Sequence, residues 1–239
     1  QRLFLLISVV ATVILFIVKE CANVQANPYQ GDCENVKCPA NCNCTDRSVN
    51  CHDGNLSYIP NIPRGILLLD LSNCNINILS RNELKNLTFS FETLTHLRLR
   101  HCKIAWFEED VFTDLTQLEV LDLSFVKTVF EQEENLKSIQ RALGSLNRAP
   151  LHTLKLDRLW IQNGLQEIFK YFEGRHLTHL SIRRNQIIHF EDKVLKNFTK
   201  LVHLDLQGNW INKIKLSSGI KTLELFNLSP NQIKIFPPI

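Results

Sequence analysis

Residues 177–201 read LTHLSIRRNQIIHFEDKVLKNFTKL. Side chains alternate along an extended chain, so Leu177, Leu180 and Ile182 face one way from a short strand while His179, Ser181 and Arg183 face the other. Asn185 stands where the chain must leave the strand, and its carboxamide can donate to and accept from the turning backbone of its own segment or of a stacked neighbour. Phe190, Leu195 and Phe198 supply further inward positions, and at Leu201 the phrase begins again. A unit with one apolar edge cannot bury that edge alone, so it requires copies stacked on either side.

The copies are present. Aligned on the first apolar position, units start at Ile66, Leu94, Leu118, Leu151, Leu177, Leu201 and Leu223, about seven at intervals of roughly 22 to 33 residues. The segment LTHLRLRHCKIAWFEEDVFTDLTQL repeats the pattern almost position for position, with Phe107, Phe112 and Leu115 at the inward places. This pattern, L-x-x-L-x-L-x-x-N, resembles the leucine-rich repeat. The expected fold is α/β: a solenoid with a curved parallel β-sheet on its concave face and helices and loops on its convex face, occupying residues 53–239 and open at the C-terminal end.

The chain has 239 residues, 44% of them hydrophobic, and a formal net charge of +3, which neither requires nor excludes a polyanionic partner. Leu3 to Val18 is an apolar run interrupted by only two hydroxyls, preceded by Arg2 and followed by Lys19 and Glu20. Val24, Gln25 and Ala26 offer small residues at the usual cleavage positions, so residues 1–26 read as a secretory signal, with an uncleaved anchor as the alternative. The sequence opens without Met and ends within a repeat after Phe236-Pro237-Pro238, without a cysteine-rich carboxyl cap. The natural product is therefore expected to be longer, or to end against a mate.

Four of the eight cysteines, Cys38, Cys42, Cys44 and Cys51, stand in C-x3-C-x-C-x6-C spacing just before the first repeat. A solenoid end must be capped, and a small cap with little core of its own is stabilised by crosslinks in an oxidising compartment. A zinc knuckle is the competing reading, weakened by export and by the lack of His at ligand spacing. CPANCNC, then Val49-Asn50-Cys51, then Ile59-Pro60 and Ile62-Pro63, then LLLDLSNCNI resembles the amino-terminal cap and first repeat of extracellular leucine-rich proteins: small proteoglycans, lamprey variable receptors and Toll-like receptors. That resemblance places the cap at 27–52 and implies pairing of Cys38 with Cys44 and of Cys42 with Cys51. Cys74 and Cys102 hold the ninth repeat position, where Asn usually sits. They read as buried thiols filling that slot; a disulfide between them is possible on distance, but parallel-pointing side chains on neighbouring strands suit a crosslink poorly. Cys21 leaves with the signal, and Cys33 has no assigned partner.

The unit beginning at Leu118 is stretched, and Leu136, Ile139, Ala142 and Leu143 within 130–146 share one helical face. The next unit again lacks the Asn, and 165–172 reads as a second convex helix. Irregular units flanked by regular ones resemble the amino-terminal part of Toll-like receptor ectodomains more than the uniform repeats of proteoglycans. Acceptor sequons for N-glycosylation stand at Asn43, Asn55, Asn86, Asn197 and Asn227, the last on an expected strand.

No G-x-S-x-G elbow, H-E-x-x-H helix or phosphate-cradling glycine loop occurs, and His176 and His179 form a lone H-x-x-H. The chain therefore reads as a binding module and not an enzyme, with no cofactor and no metal. Its candidate ligand surface is the outward side of the strands: His96, Arg98, Arg100, His179, Arg183, Arg184 and His203. The arginines suggest an anionic ligand, against the simpler reading that Arg98 pairs with Asp70 and Asp122 and that Arg183 pairs with Asp157 across neighbouring strands. His179 and His203 belong to consecutive units, so their rings should be neighbours able to protonate between pH 5 and 8. The resemblance implies a receptor that binds an extracellular protein, lipid or nucleic acid, pairs with a second receptor chain, and reaches the membrane through a segment outside this chain, at the cell surface or in the endosome. The alternative is a secreted or anchored leucine-rich adhesion or matrix protein.

Overall fold

The computed structural model describes residues 37–87, 90–127, 132–162, 164–216 and 221–234. The expected signal at 1–26, Cys21, Cys33 and residues 27–36 of the cap lie outside them. β1 (Asn43–Thr45) and β2 (Ser48–Asn50) make an antiparallel hairpin with Cys44 opposite Val49. From β2 a parallel sheet extends, gaining one strand per repeat: β3 (Leu68–Asp70), β4 (His96–Arg98), β5 (Val120–Asp122), β6 (Thr153–Lys155), β7 (His179–Ser181), β8 (His203–Asp205) and β9 (Leu225–Asn227). Each of these seven begins two residues after a repeat start read from the sequence, so the register of the apolar pattern is the register of the sheet.

Burial follows that register. The fourth repeat position is Leu69, Leu97, Leu121, Leu154, Leu180 and Leu204, and all six are at most 2% exposed. Burying one such side chain stabilises by about 1.5–3 kcal/mol, an upper figure because the unfolded chain is itself partly collapsed. Past each strand the ladder continues between coils. Leu71, Leu99, Leu123, Leu156, Ile182 and Leu206 donate their amides to the carbonyls of Arg98, Asp122, Lys155, Ser181, Asp205 and Asn227 in the coil that follows.

The ninth position does a second job. Asn185 Oδ1 accepts from the Leu159 amide at 2.7 Å while its Nδ2 donates to the Leu156 carbonyl at 2.8 Å, both in the preceding coil. Asn209 and Asn231 repeat this with Ile187 and Ile211. In the first two coils the slot is filled differently from expectation: Cys74 and Cys102 form a disulfide with Cα atoms 4.5 Å apart. Consecutive coils bring equivalent Cα atoms to the spacing of paired strands, which lies within the crosslinking range, and the oxidised pair replaces two thiols. The Cys102 sulfur also accepts from the Cys74 amide at 3.3 Å, which is the acceptor role the Asn plays elsewhere.

On the convex side, α1 (Arg81–Leu84) is one short turn capped by Ser80, whose Oγ accepts from the Glu83 amide. α2 (Gln132–Gly144) carries Ile139, Ala142 and Leu143 inward, as its sequence spacing predicts; residues 128–131 lie outside the described residues. Ser145, just past α2, accepts from the Phe112 amide and donates to the Ala142 carbonyl, tying the helix end to the previous coil. The helix expected over 165–172 is only α3 (Leu165–Ile168). Beyond it, Lys170 and Phe172 donate to Glu167 and Phe169 in tighter turns, so that both rings reach Phe198, at 5.1 Å from Phe169 and 5.8 Å from Phe172. Gly174 closes this cluster with φ +57°, where an added Cβ would sit 2.5 Å from the Phe198 ring.

Two disulfides close the cap as the resemblance implied, Cys38–Cys44 with Cα atoms 5.8 Å apart and Cys42–Cys51 at 4.1 Å. With all four sulfurs bonded in pairs, the zinc reading falls. Cys51 is buried against the first coil, and its amide donates to the Asp70 carbonyl.

Candidate ligand-binding surface

The outward strand positions present two kinds of polar group. Charged residues form one kind, and they are largely neutralised in place. Arg98 lies between Asp70 and Asp122 in the ladder, yet it pairs only with Asp70, at 3.6 Å, while Arg100 takes Asp122, at 3.7 Å. Arg183 pairs with Asp205, at 3.6 Å, and not with Asp157 as its place in the sequence suggested; its guanidinium also donates to Gln207. Asp157 accepts instead from the Ser181 hydroxyl at 2.6 Å and the Arg183 amide at 2.8 Å. The reason is reach: from the seventh position the long guanidinium of Arg100 or Arg183 goes diagonally to a carboxylate one coil on, whereas the short Asp157 carboxylate bonds to the strand end beside it. Burial pushes the Asp157 carboxyl above the ordinary range, opposed by its bonds to Ser181 and Arg183. Such half-exposed ion pairs contribute at most about 1 kcal/mol each.

Histidines form the second kind. His179 on β7 is in register with His203 on β8, and their ring centroids are 4.3 Å apart, edge to face. Burial, then His203 and His152, lower the His179 pKa below its usual value. The Thr178 hydroxyl donates to the His152 carbonyl at 3.1 Å and lies 2.8 Å from His179 Nδ1, which fixes the ring beside it. The same Thr-His arrangement recurs at Thr95 and His96, with the Leu67 carbonyl taking the hydroxyl hydrogen. His96 lies on β4, three strands from β7 in the sheet order. Among the described residues no group of three or more His, Cys, Asp or Glu could hold a metal ion.

A third feature escaped the sequence reading. The eighth position of six consecutive coils, Asn73, His101, Phe125, Arg158, Arg184 and Gly208, has positive φ in every case, from 55° to 72°. In the first five of these the amide donates to the seventh-position carbonyl of the next coil. The repeated backbone bond holds L-residues in the left-handed region at a cost of order 1–3 kcal/mol apiece. The side chains consequently leave the concave sheet and line one edge of it. Arg184 therefore lies on this edge, apart from Arg98, Arg100 and Arg183. Along the edge His101 stacks on Phe125 with centroids 4.3 Å apart, and the Arg158 guanidinium lies 5.0 Å from the Phe125 centroid. Trp160 and Trp210, at the tenth position of their coils, stand 58% and 46% exposed. Phe125, Lys127, Arg158, Trp160, Arg184 and Trp210 line one continuous groove there. The signal was present as Phe125 and two tryptophans at matching positions, but only the backbone conformation shows that they share an edge.

Of the sequons, Asn43, Asn55 and Asn197 are exposed, while Asn86 and Asn227 are half-buried. The Asn86 carboxamide nitrogen donates to the Ile59 carbonyl, and Asn227 is the last residue of β9.

Residues 37–63 match the leucine rich repeat N-terminal domain, and residues 175–233 match the leucine rich repeat. The fold is a leucine-rich repeat solenoid. This solenoid is similar to CD180 antigen of Mus musculus, 29% identical over 191 residues that make up 72% of this chain and 28% of CD180. It is similar to keratocan of Danio rerio, 29% identical over 84% of this chain and 54% of keratocan, and to lumican of Mus musculus, 28% identical over 84% and 55%. The chain thus spans about a quarter to about half of these relatives. Among solved structures, TLR13 in its complex with ssRNA13 superposes with a TM-score of 0.57 and 25% identity over 71% of this chain and 22% of TLR13. Human 5T4 (trophoblast glycoprotein) superposes with a TM-score of 0.60 over 82% of this chain and 74% of that one; at 22% identity it speaks for the fold alone. No helix among the described residues is long and apolar enough to cross a membrane.

Proposed function

We propose that the chain is an amino-terminal part of the ligand-binding ectodomain of a Toll-like pattern-recognition receptor, acting in signal transduction by binding on the solenoid and not by catalysis. The observation that carries this reading is an irregular middle in a regular array: the two coils carrying α2 and α3 have the apolar Val126 and Leu159 at the ninth position, between Cys74 and Cys102 in the coils before them and the Asn185–Asn209–Asn231 ladder after them. Similarity to CD180 and the superposition on TLR13, whose solved complex contains single-stranded RNA, support it. In this reading the solenoid lies on the extracellular or endosomal side, carries glycans at its exposed sequons, pairs with a second receptor chain and is joined to the membrane by a segment beyond residue 239. A rigid concave surface whose outward residues vary without disturbing the core suits such binding.

The second reading, a secreted or anchored matrix or adhesion protein, is favoured by the longer reach of the lumican and keratocan similarities, 84% of this chain against 72% for CD180. Sequencing the full transcript separates the two. A membrane span followed by a cytoplasmic signalling domain is expected; a stop codon shortly after a carboxyl cap would replace the receptor by the matrix protein.

A further inference from the structure

The edge lined by Phe125, Arg158, Trp160, Arg184 and Trp210 combines two properties along one groove. The first is unbalanced positive charge. No Asp or Glu occupies the eighth or tenth position of any coil from Leu94 to Trp210. Among the described residues Lys127, Arg158 and Arg184 have no carboxylate within ion-pair distance, whereas Arg98, Arg100 and Arg183 on the neighbouring concave face each have one. The second is exposed aromatic surface. Trp160 and Trp210 leave about half of their area to solvent although each sits directly beside a buried core position, Leu159 and Ile211. They belong to coils two strands apart, hence about 10 Å apart along the sheet, a span that accommodates about two stacked bases. Gly208 keeps the groove between them open: its φ is +72°, and an added Cβ would come within 2.9 Å of the Arg184 side chain that lies over it.

Guanidinium and ammonium groups beside indoles that are about half exposed, along one groove, match a ligand with a charged backbone and unstacked flat rings. We propose that this edge binds a single-stranded nucleic acid, its phosphates on Lys127, Arg158 and Arg184 and its bases against Trp160 and Trp210. Base–aromatic stacking tolerates any sequence because every base presents a π-face, and charge tracks the backbone. A duplex buries its base faces and offers the indoles nothing to stack on. A sulfated glycan or an acidic peptide would be held by charge alone. The proposal rests on the reading of the solenoid as a ligand-binding surface, and it places the ligand on an edge beside the concave positions of Arg98, Arg100 and Arg183.

The test is fluorescence anisotropy of a fluorescein-labelled 20-nucleotide oligo(U) titrated with the chain secreted from cultured cells, at 50 and 150 mM NaCl, with a duplex of equal length, heparin and poly-Glu as competitors. Binding with quenching of tryptophan emission is expected. Trp160→Ala with Trp210→Ala should weaken it by about tenfold or more. Arg158→Gln with Arg184→Gln should lower the slope of log affinity against log salt by about 1.4, since each contact to a single strand contributes about 0.7. Lys196→Gln, at an exposed turn just after Leu195 and away from the concave strands and this edge, should change neither. No binding at 50 mM NaCl overturns the proposal, as does a tryptophan variant that binds like wild type; competition by heparin or poly-Glu equal to that by unlabelled oligo(U) would assign the edge to another polyanion. Should the tryptophan variant fail to be secreted, acrylamide quenching of the wild type decides, because oligo(U) that does not shield the indoles is not stacked on them. A transcript that ends after a carboxyl cap would overturn the receptor reading and leave this measurement standing, whereas absent binding would leave a receptor with a different ligand.

Discussion

Asn209 holds the coil of Asn185 in place: its Oδ1 accepts from the Asn185 amide at 2.8 Å and the Ile187 amide at 3.2 Å, and its Nδ2 donates to the Ile182 carbonyl at 2.9 Å. These groups are buried, so nothing else can satisfy them. Asn209→Ala strands two amides and a carbonyl, and each unsatisfied buried group costs about 1–3 kcal/mol. Urea unfolding should therefore show a loss of several kcal/mol. Asn209→Asp keeps the acceptor and loses the carboxamide donor, so at a pH low enough to keep the new carboxyl neutral it should lose less than the Ala variant.

Core register makes a second prediction. Leu204→Ala should destabilise by about 2–5 kcal/mol, because Leu204 is fully buried in the fourth position. Ser181 faces outward on the adjacent strand yet donates to Asp157, so Ser181→Ala should cost about 1 kcal/mol rather than nothing. Equal losses for the two variants in thermal unfolding would place the apolar face of the strand on the wrong side.

Three disulfides predict that none of the six cysteines from Cys38 to Cys102 reacts with a thiol reagent in the native secreted protein. Peptide mapping after alkylation reads this directly, and a labelled Cys74 or Cys102 would restore the two-thiol arrangement that the repeat pattern suggested. Cys42→Ser should lower secretion and melting temperature, since loss of such a crosslink costs about 2–5 kcal/mol.

Stability should depend on pH through His179. Its pKa is lower in the folded chain than the ordinary value of about 6.5, because burial and then His203 and His152 disfavour the cation. The unfolded chain therefore takes up the proton first. Folding stability is complete above that ordinary value and falls as pH drops through it towards the lower folded value. The melting temperature should decline from pH 7.5 to 5.5, and His179→Gln should flatten the decline; an unchanged slope in the variant would free the pair of any role.

Glycopeptide mass spectrometry should find sugar on the exposed Asn55 and Asn197 and little on Asn86, whose carboxamide nitrogen is engaged by the Ile59 carbonyl. Full occupancy at Asn86 would mean that the glycan is attached before this coil closes.

The repeat pattern alone located the seven repeat strands of the main sheet, because leucine or isoleucine at the fourth and sixth positions can be buried only in one register, and a one-residue slip would turn every one of them to water; it did not show the short parallel pairs Ile78–Leu79 with Trp106–Phe107 and His189–Glu191 with Lys213–Lys215. It likewise located α2, whose apolar residues recur at helical spacing, and the pair His179–His203, since equivalent positions of consecutive coils must be neighbours. What it left open depends on directions that spacing does not contain. Arg183 has carboxylates on both sides, and only side-chain reach sends it to Asp205. Cys74 and Cys102 are adjacent in either oxidation state, and the backbone separation of their two coils brings the sulfurs together. The grouping of Phe125, Arg158 and Arg184 arises from a left-handed backbone that none of these three residue types favours; it is imposed by hydrogen bonds to the next coil, and so it exists only once the coils are stacked.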